Sequence, residues 1–160
     1  MRILISGASG LVGTAAASAL RADGHQVNRF VRPGRSYSQE DVRWDPAFGF
    51  IDAEGMEGTE AILHLAGAGI ADARWSEARK KILRESRVNS TRILVDTIAR
   101  LRRKPRVLVA ASAVGYYGNR GDELLNESSS KGTGFLAALA QDWESESLRA
   151  ESLGLRVALL

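Results

Sequence analysis

Few residues in this 160-residue chain could do chemistry. It has no cysteine, which excludes disulfides, thiolate catalysis and Cys-based zinc sites. Its two histidines, His25 and His64, lie in different segments with no ligand spacing around them, so no metal site is expected. Two constellations remain. The first is RILISGASGLVG (2–13), a short apolar run followed by Gly7, Gly10 and Gly13 at a spacing of three. This pattern suits a tight turn that opens a helix, whose unpaired N-terminal N–H groups and positive dipole end attract an anion. Gly7 lets the chain turn sharply, Gly10 removes a Cβ that would block a pyrophosphate, and Gly13 allows close helix packing. The expected cradle is Gly7, Ser9, Gly10, Leu11, Val12 and Gly13. The second constellation is SAVGYYG (112–118), where the Ser112 hydroxyl and the Tyr116 and Tyr117 phenols follow a strand. These are the best candidates for proton chemistry. The alternative is a glycine-rich turn whose aromatics simply pack.

The elements that must position these residues follow from periodicity. Ile3 to Ile5 reads as a buried strand. A helix from Gly10 to Asp23 carries Leu11, Val12, Ala15, Ala16, Ala19 and Leu20, with Gly24 as its stop. Gln26 to Val31 is a second strand and Arg32-Pro33-Gly34-Arg35 a turn, so a strand–helix–strand unit closes in the context the glycine motif requires. In such a unit the end of the second strand faces the adenosine ribose, where an acid accepts the 2′-hydroxyl of NAD. Here the strand ends in Arg32, with Arg35 following and no acid before Glu40. A guanidinium matches a 2′-phosphate, which predicts NADP(H) in preference to NAD(H). The alternative is a solvated turn arginine.

Asp41 to Trp44 is the third strand, which places Trp44 and Asp45 as candidate walls beside the adenine. A turn-rich stretch containing Gly49, Gly55 and Gly58 leads to a fourth strand, Ile62 to Leu65. The small residues after it, Ala66 and Gly67 foremost, let a ligand approach closely and make Leu65, Ala66 and Gly67 candidate contacts. His64, inside this apolar strand, reads as a hydrogen-bonded core residue rather than a base. Ser76 is the expected N-cap of a long helix to about Leu101, with Ala78, Ile82, Ser86, Asn89/Ser90, Ile93, Leu94, Thr97/Ile98 and Leu101 on one face. Asn89 is polar on that face and is expected to hold backbone or water near the cleft. Val107 to Ala110 is a fifth strand, a helix runs from about Thr133 to Gly154, and Leu155 to Leu160 is a sixth strand. The fold class is therefore α/β: a doubly wound parallel sheet of about six strands, ordered third, second, first, fourth, fifth, sixth, with helices on both faces.

Composition narrows the rest. Hydrophobic residues make up 44% and charged residues 26%, as in an ordinary globular domain. The apolar runs are strand-length and no basic leader precedes the first strand, so neither membrane insertion nor export is expected and the cytoplasm is. The chain is basic, with 22 Lys+Arg against 19 Asp+Glu. The dense cluster Arg100, Arg102, Arg103, Lys104 and Arg106 sits where a helix should end, so it reads as a terminal cap rather than a nucleic-acid patch.

Four motifs in order resemble the short-chain dehydrogenase/reductase superfamily in its extended branch of nucleotide-sugar epimerases and dehydratases: GASGLVG, HLAGAG, RVNSTRIL and SAVGYYG. A closer resemblance, through ARWSEARKKILRESRVNSTRIL and GFLAALAQDWE, is to an atypical "epimerase family protein" subgroup. The resemblance implies a Rossmann domain over 1–160 that binds NADP(H) and transfers hydride at a carbinol or carbonyl carbon of a small-molecule substrate. Ser112 would hydrogen-bond the reacting oxygen. Two departures stand out. The family's Tyr-x-x-x-Lys is missing, with Phe135 near the tyrosine position and no lysine after it, so Tyr116 or Tyr117 is the expected proton donor. Members of this branch also continue well beyond this length, which implies that a C-terminal substrate domain is absent here and that a partner copy covers the exposed face in a homo-oligomer. A cofactor-binding sensor without chemistry is the competing reading.

Overall fold

The computed structural model describes residues 1–36 and 38–160. Seven strands form one sheet: β1 (Arg2–Ser6), β2 (Gln26–Val31), β3 (Val42–Asp45), β4 (Phe50–Ile51), β5 (Ala61–His64), β6 (Val107–Ala110) and β7 (Arg156–Leu159). Their order is β4-β3-β2-β1-β5-β6-β7. All neighbours are parallel except β3 and β4, which pair antiparallel at the edge. The six expected strands thus appear in the expected order. β4 is additional: two residues cannot display an alternating pattern, and the preceding Gly49 takes φ +68° in the connecting turn.

Helices cover both faces, which is why the central strands read as continuous apolar runs. On one face, Ile3, Ile5 and Val27 pack with Ala17 and Leu20 of α1 (Leu11–Ala22). The buried stripe of α1 runs through Gly13, Ala17 and half-buried Leu20, whereas Leu11 is 91% exposed and Val12 stands beside it in solvent. Ala15 and Ala19 are exposed as well, so the inward face is rotated from the expected one: Ala16 and Leu20 remain half-buried on it, with Gly13 and Ala17 in place of Leu11, Val12, Ala15 and Ala19. On the other face, Leu4, Ile62 and Leu108 pack with Leu94, Val95 and Ile98 of α4 (Ser90–Arg100) and with Ala150. α2 (Ala53–Met56) is a short helix capped by Asp52 within the stretch expected to be turn-rich.

The expected helix from Ser76 to Leu101 is interrupted. Ser76 does cap α3 (Glu77–Arg84), its hydroxyl accepting from the Arg79 N–H. The chain then makes a π-turn over Glu85–Asn89 before α4. A π-turn inserts a residue and rotates what precedes it. In consequence Leu83 and Val88, five apart, are both buried, while Ile82 is 46% exposed and Ala78 is also exposed. The inward face over this segment is therefore Leu83 and Val88 rather than Ala78 and Ile82. α5 (Phe135–Leu148) packs Leu139 and Trp143 against Leu83 and Val88, and Gly154 ends the following turn at φ +87°. The basic cluster begins at Arg100, the last residue of α4, and continues past its end, where the Arg102 and Arg103 N–H groups donate to Glu57. Among the described residues no helix is long and apolar enough to cross a membrane, and none form a group of three or more His, Asp or Glu able to hold a metal.

Candidate functional site

The glycine loop is built so that side chains cannot enter it. Gly7 has φ +69°, and a Cβ there would lie 2.9 Å from the Leu65 carbonyl. A Cβ on Gly13 would fall 2.8 Å from Ala8 Cα and closer still to the Gly7 oxygen. Gly13 is thus required by the loop itself, as the first turn of α1 folds back over Gly7 and Ala8. The Gly10 N–H donates to the Gly7 carbonyl at 2.9 Å, and Gly10 caps α1 without a side-chain hydrogen bond. Ser9, Leu11 and Val12, beside the N-terminus of α1, are exposed. A tight turn that admits no Cβ at Gly7 or Gly13, opening a helix whose N-terminus has no side-chain cap, fits a dinucleotide pyrophosphate.

A buried network fixes this loop to the strand beside it. Ser6 Oγ accepts from the Leu65 N–H (3.0 Å) and the Ala66 N–H (3.2 Å), so its proton is left for His64 Nδ1 at 2.7 Å. His64 is therefore the Nε2–H tautomer and donates to Thr91 Oγ1 at 2.9 Å. That oxygen also accepts from Trp143 Nε1 (3.0 Å) and donates to the Arg87 carbonyl (2.7 Å). Every lone pair and proton on the chain Ser6–His64–Thr91 is used. Burial pushes the His64 pKa down to about 4, and Nδ1 already faces a hydroxyl proton. His64 is the core residue expected from the sequence, and it holds Leu65 and Ala66 against Gly7.

At the other end of the cradle, Arg32 and Arg35 are exposed and line a cavity of about 310 Å³ with Val31, Pro33, Gly34, Arg43, Trp44 and Phe50. Arg43 was not singled out from the sequence. It joins because β3 alternates, placing Arg43 outward between buried Val42 and Trp44. Trp44 is only 3% exposed, packed on Phe30 at 5.0 Å between ring centres and edge-on to His64, so it is chiefly core. Asp45 lies outside this lining; its carboxylate accepts from the Ala47 N–H in the β3–β4 turn. The acids nearest the end of β2 are already engaged. Glu40 accepts from Asn28. Asp41 binds Arg29 at 2.5 Å; burial pushes its carboxyl up, but the hydrogen bonds from Arg29 and Ser38 win and hold it below the usual range.

The candidate catalytic residues lie past β6. Ser112 donates its hydroxyl proton to Glu144 on α5, and its N–H donates to the Leu160 carbonyl. A serine has one O–H, so donation to a reacting oxygen would require exchange of the Glu144 bond. Glu144 lies in GFLAALAQDWE and is half-buried; its place directly after Trp143 of the inward face was the only sequence cue. Residues Val114–Tyr117 form a 3₁₀ turn against the start of α5. Tyr116 and Tyr117 are half-buried and stack edge to face, 5.3 Å between centres. A neighbouring cleft of about 440 Å³ is walled by Trp75, Val114, Gly115, Gly118, Phe135 and Leu136, and so by the backbone of this turn more than by its phenols. Arg120, four residues after Tyr116, binds Glu123 at 2.6 Å instead. Half-buried Asn89 ends the π-turn.

A model of the NAD dependent epimerase/dehydratase family matches residues 3–160. The chain belongs to this family. Among epimerase/dehydratase relatives, an epimerase family protein of Mycobacterium bovis is 43% identical over 157 residues, covering 98% of this chain and 51% of that protein. The structure of a nucleoside-diphosphate sugar epimerase from Corynebacterium glutamicum superposes with TM-score 0.85 at 34% identity, covering 100% of this chain and 33% of that one. Human epimerase family protein SDR39U1, solved with NADPH, superposes with TM-score 0.83 at 27% identity, covering 99% of this chain and 52% of that one. The chain spans about half the length of the curated relatives it matches. The family resemblance read from the four motifs therefore holds.

Proposed function

We propose that this chain is the NADP(H)-binding part of an epimerase-like oxidoreductase that transfers hydride at a carbinol or carbonyl carbon of a small-molecule substrate. The observation that carries the proposal is the cradle of Gly7, Gly10 and Gly13, closed against Leu65 and Ala66, with exposed Arg32 and Arg35 at the end of the adjoining strand. The α1 N-terminus would hold the pyrophosphate, Arg32 with Arg35 a 2′-phosphate, and Leu65, Ala66 and Gly67 the chain's approach to the nicotinamide. When bound, the reduced nicotinamide supplies hydride. Tyr116 or Tyr117 would be the proton donor, in the turn that follows Ser112, and Ser112 is held by Glu144. The human relative solved with NADPH supports this reading, and the sites' common position at the carboxyl ends of the strands agrees with the rule for open α/β sheets.

Gly13→Ala tests the cradle. Its Cβ meets backbone, so the variant is expected to lose roughly 1–3 kcal/mol of stability by overpacking and to weaken NADPH binding about tenfold or more. Wild-type NADPH affinity in that variant, read by calorimetry, would count against the proposal. A second reading, a cofactor-binding sensor, is favoured by Phe135 and Leu139, which leave α5 without a tyrosine–lysine pair. The readings part on whether any carbonyl substrate oxidises bound NADPH.

A further inference from the structure

The loop after β5 holds two guanidiniums and too little negative charge for them. Arg87, in the π-turn, donates through Nη1 to the Ala68 carbonyl at 3.0 Å, with the Leu83 carbonyl (3.4 Å) and Ser86 Oγ (3.5 Å) at the edge of reach. Its Cζ lies 5.3 Å from the centre of the Trp143 ring. A Cβ on Gly67 would come 3.0 Å from that Cζ, so the guanidinium lies directly against the loop backbone. None of these partners is an anion. Burial, and then the charge of Arg79, push the Arg87 pKa down, a sign that the site tolerates its charge rather than neutralising it.

Arg79 sits on the next carbonyl of the same loop. Its Nη2 donates to the Gly69 carbonyl and reaches Asp72 at 3.4 Å. The Asp72 side chain is 68% exposed, and an ion pair this solvated offsets little charge. The Arg79 Nε is buried with no partner among the described residues. A buried donor left without an acceptor is destabilising, the more so on a charged group. Two cations on consecutive carbonyls, one without a carboxylate and one with an orphaned N–H, is an arrangement a bound anion completes.

The position of this pair narrows what the anion belongs to. The loop begins against the glycine cradle at Leu65 and ends at Trp75, which donates to the Ile70 carbonyl at 2.9 Å and packs on Phe135 at 5.9 Å, walling the cleft beside the Tyr116–Tyr117 turn. We propose that Arg79 and Arg87 form an anion subsite that holds a carboxylate or phosphate group of the substrate between the cofactor cradle and that cleft. The attribution to substrate rests on the proposed cofactor reading; the anion binding itself does not.

The test titrates inorganic phosphate, and separately acetate, against chloride at constant ionic strength, reading tryptophan fluorescence, since Trp143 underlies Arg87 and Trp75 closes the loop. Wild type, Arg79→Gln, Arg87→Gln and Arg87→Lys are compared, and each is titrated with NADPH. The expected result is a saturable response that weakens about tenfold or more in either glutamine variant and is partly kept by the lysine variant, with NADPH affinity changed less than about threefold. Circular dichroism checks folding; if Arg87→Gln does not fold, Arg79→Gln alone decides. No saturable response in wild type, or one unchanged in the glutamine variants, overturns the subsite. A parallel loss of NADPH affinity assigns the anion to the cofactor's diphosphate and overturns the substrate attribution. A phosphate response in a protein that binds no NADPH supports the subsite and refutes the cofactor reading instead.

Discussion

His64 shows how one side chain can be a poor catalyst and a strong positioning element. Both ring nitrogens are committed, to Ser6 and Thr91, and burial holds the pKa near 4. The folded pKa lies below the ordinary value of 6.5, so folding favours the neutral ring. Its contribution is therefore fully present above about pH 6.5 and is lost as pH falls from there toward about 4, an effect on the order of 3 kcal/mol. Urea unfolding is expected to show stability falling across that window, and His64→Gln to flatten the slope; an unchanged slope in the variant would contradict this. The reading of His64 as core was available from its apolar strand neighbours. Its partners were not, because Ser6 and Thr91 lie 58 and 27 residues away, the first joined to it by the sheet register and the second by the packing of α4 on the sheet. Glu144 escaped notice for the same reason: its contact with Ser112 is made across the α5–sheet seam.

At the scale of elements, the helical stretch after Ser76 is the most instructive. Its apolar spacing fits a continuous helix from Ser76 to Leu101, and the cap and the far end agree. The π-turn at Glu85–Asn89 rotates the first two turns, so Leu83 rather than Ile82 enters the core. Leu83→Ala is expected to cost roughly 2–5 kcal/mol and Ile82→Ala less than about 1 kcal/mol, measured by chemical denaturation. The reverse ranking would mean an uninterrupted helix. No residue type marks a π-turn, which arises here where Arg87 and Ser86 turn their side chains onto the loop carrying Ala68. Strand periodicity placed β1, β2, β5, β6 and β7 within a residue or so. By contrast, β4 and α2 are too short to carry a pattern, and Gly55 inside α2 reads as a turn although it packs beside Val42.

Over the whole molecule, the order β4-β3-β2-β1-β5-β6-β7 brings the glycine loop, the Arg32 turn, the HLAGAG loop and SAVGYYG to the carboxyl ends of the strands. The glycine loop was legible because backbone sterics dictate glycine there, and steric demands are local in sequence. The surroundings of Ser112 were less so, because they depend on which side chains meet across separate elements. The central claim is that the exposed arginines at the end of β2 read a 2′-phosphate. Calorimetric titration with NADPH and NADH in parallel tests it most directly. The expected result is tighter binding of NADPH, by about tenfold or more, with the gap narrowed by Arg32→Ala; equal affinities in the wild-type chain would contradict it.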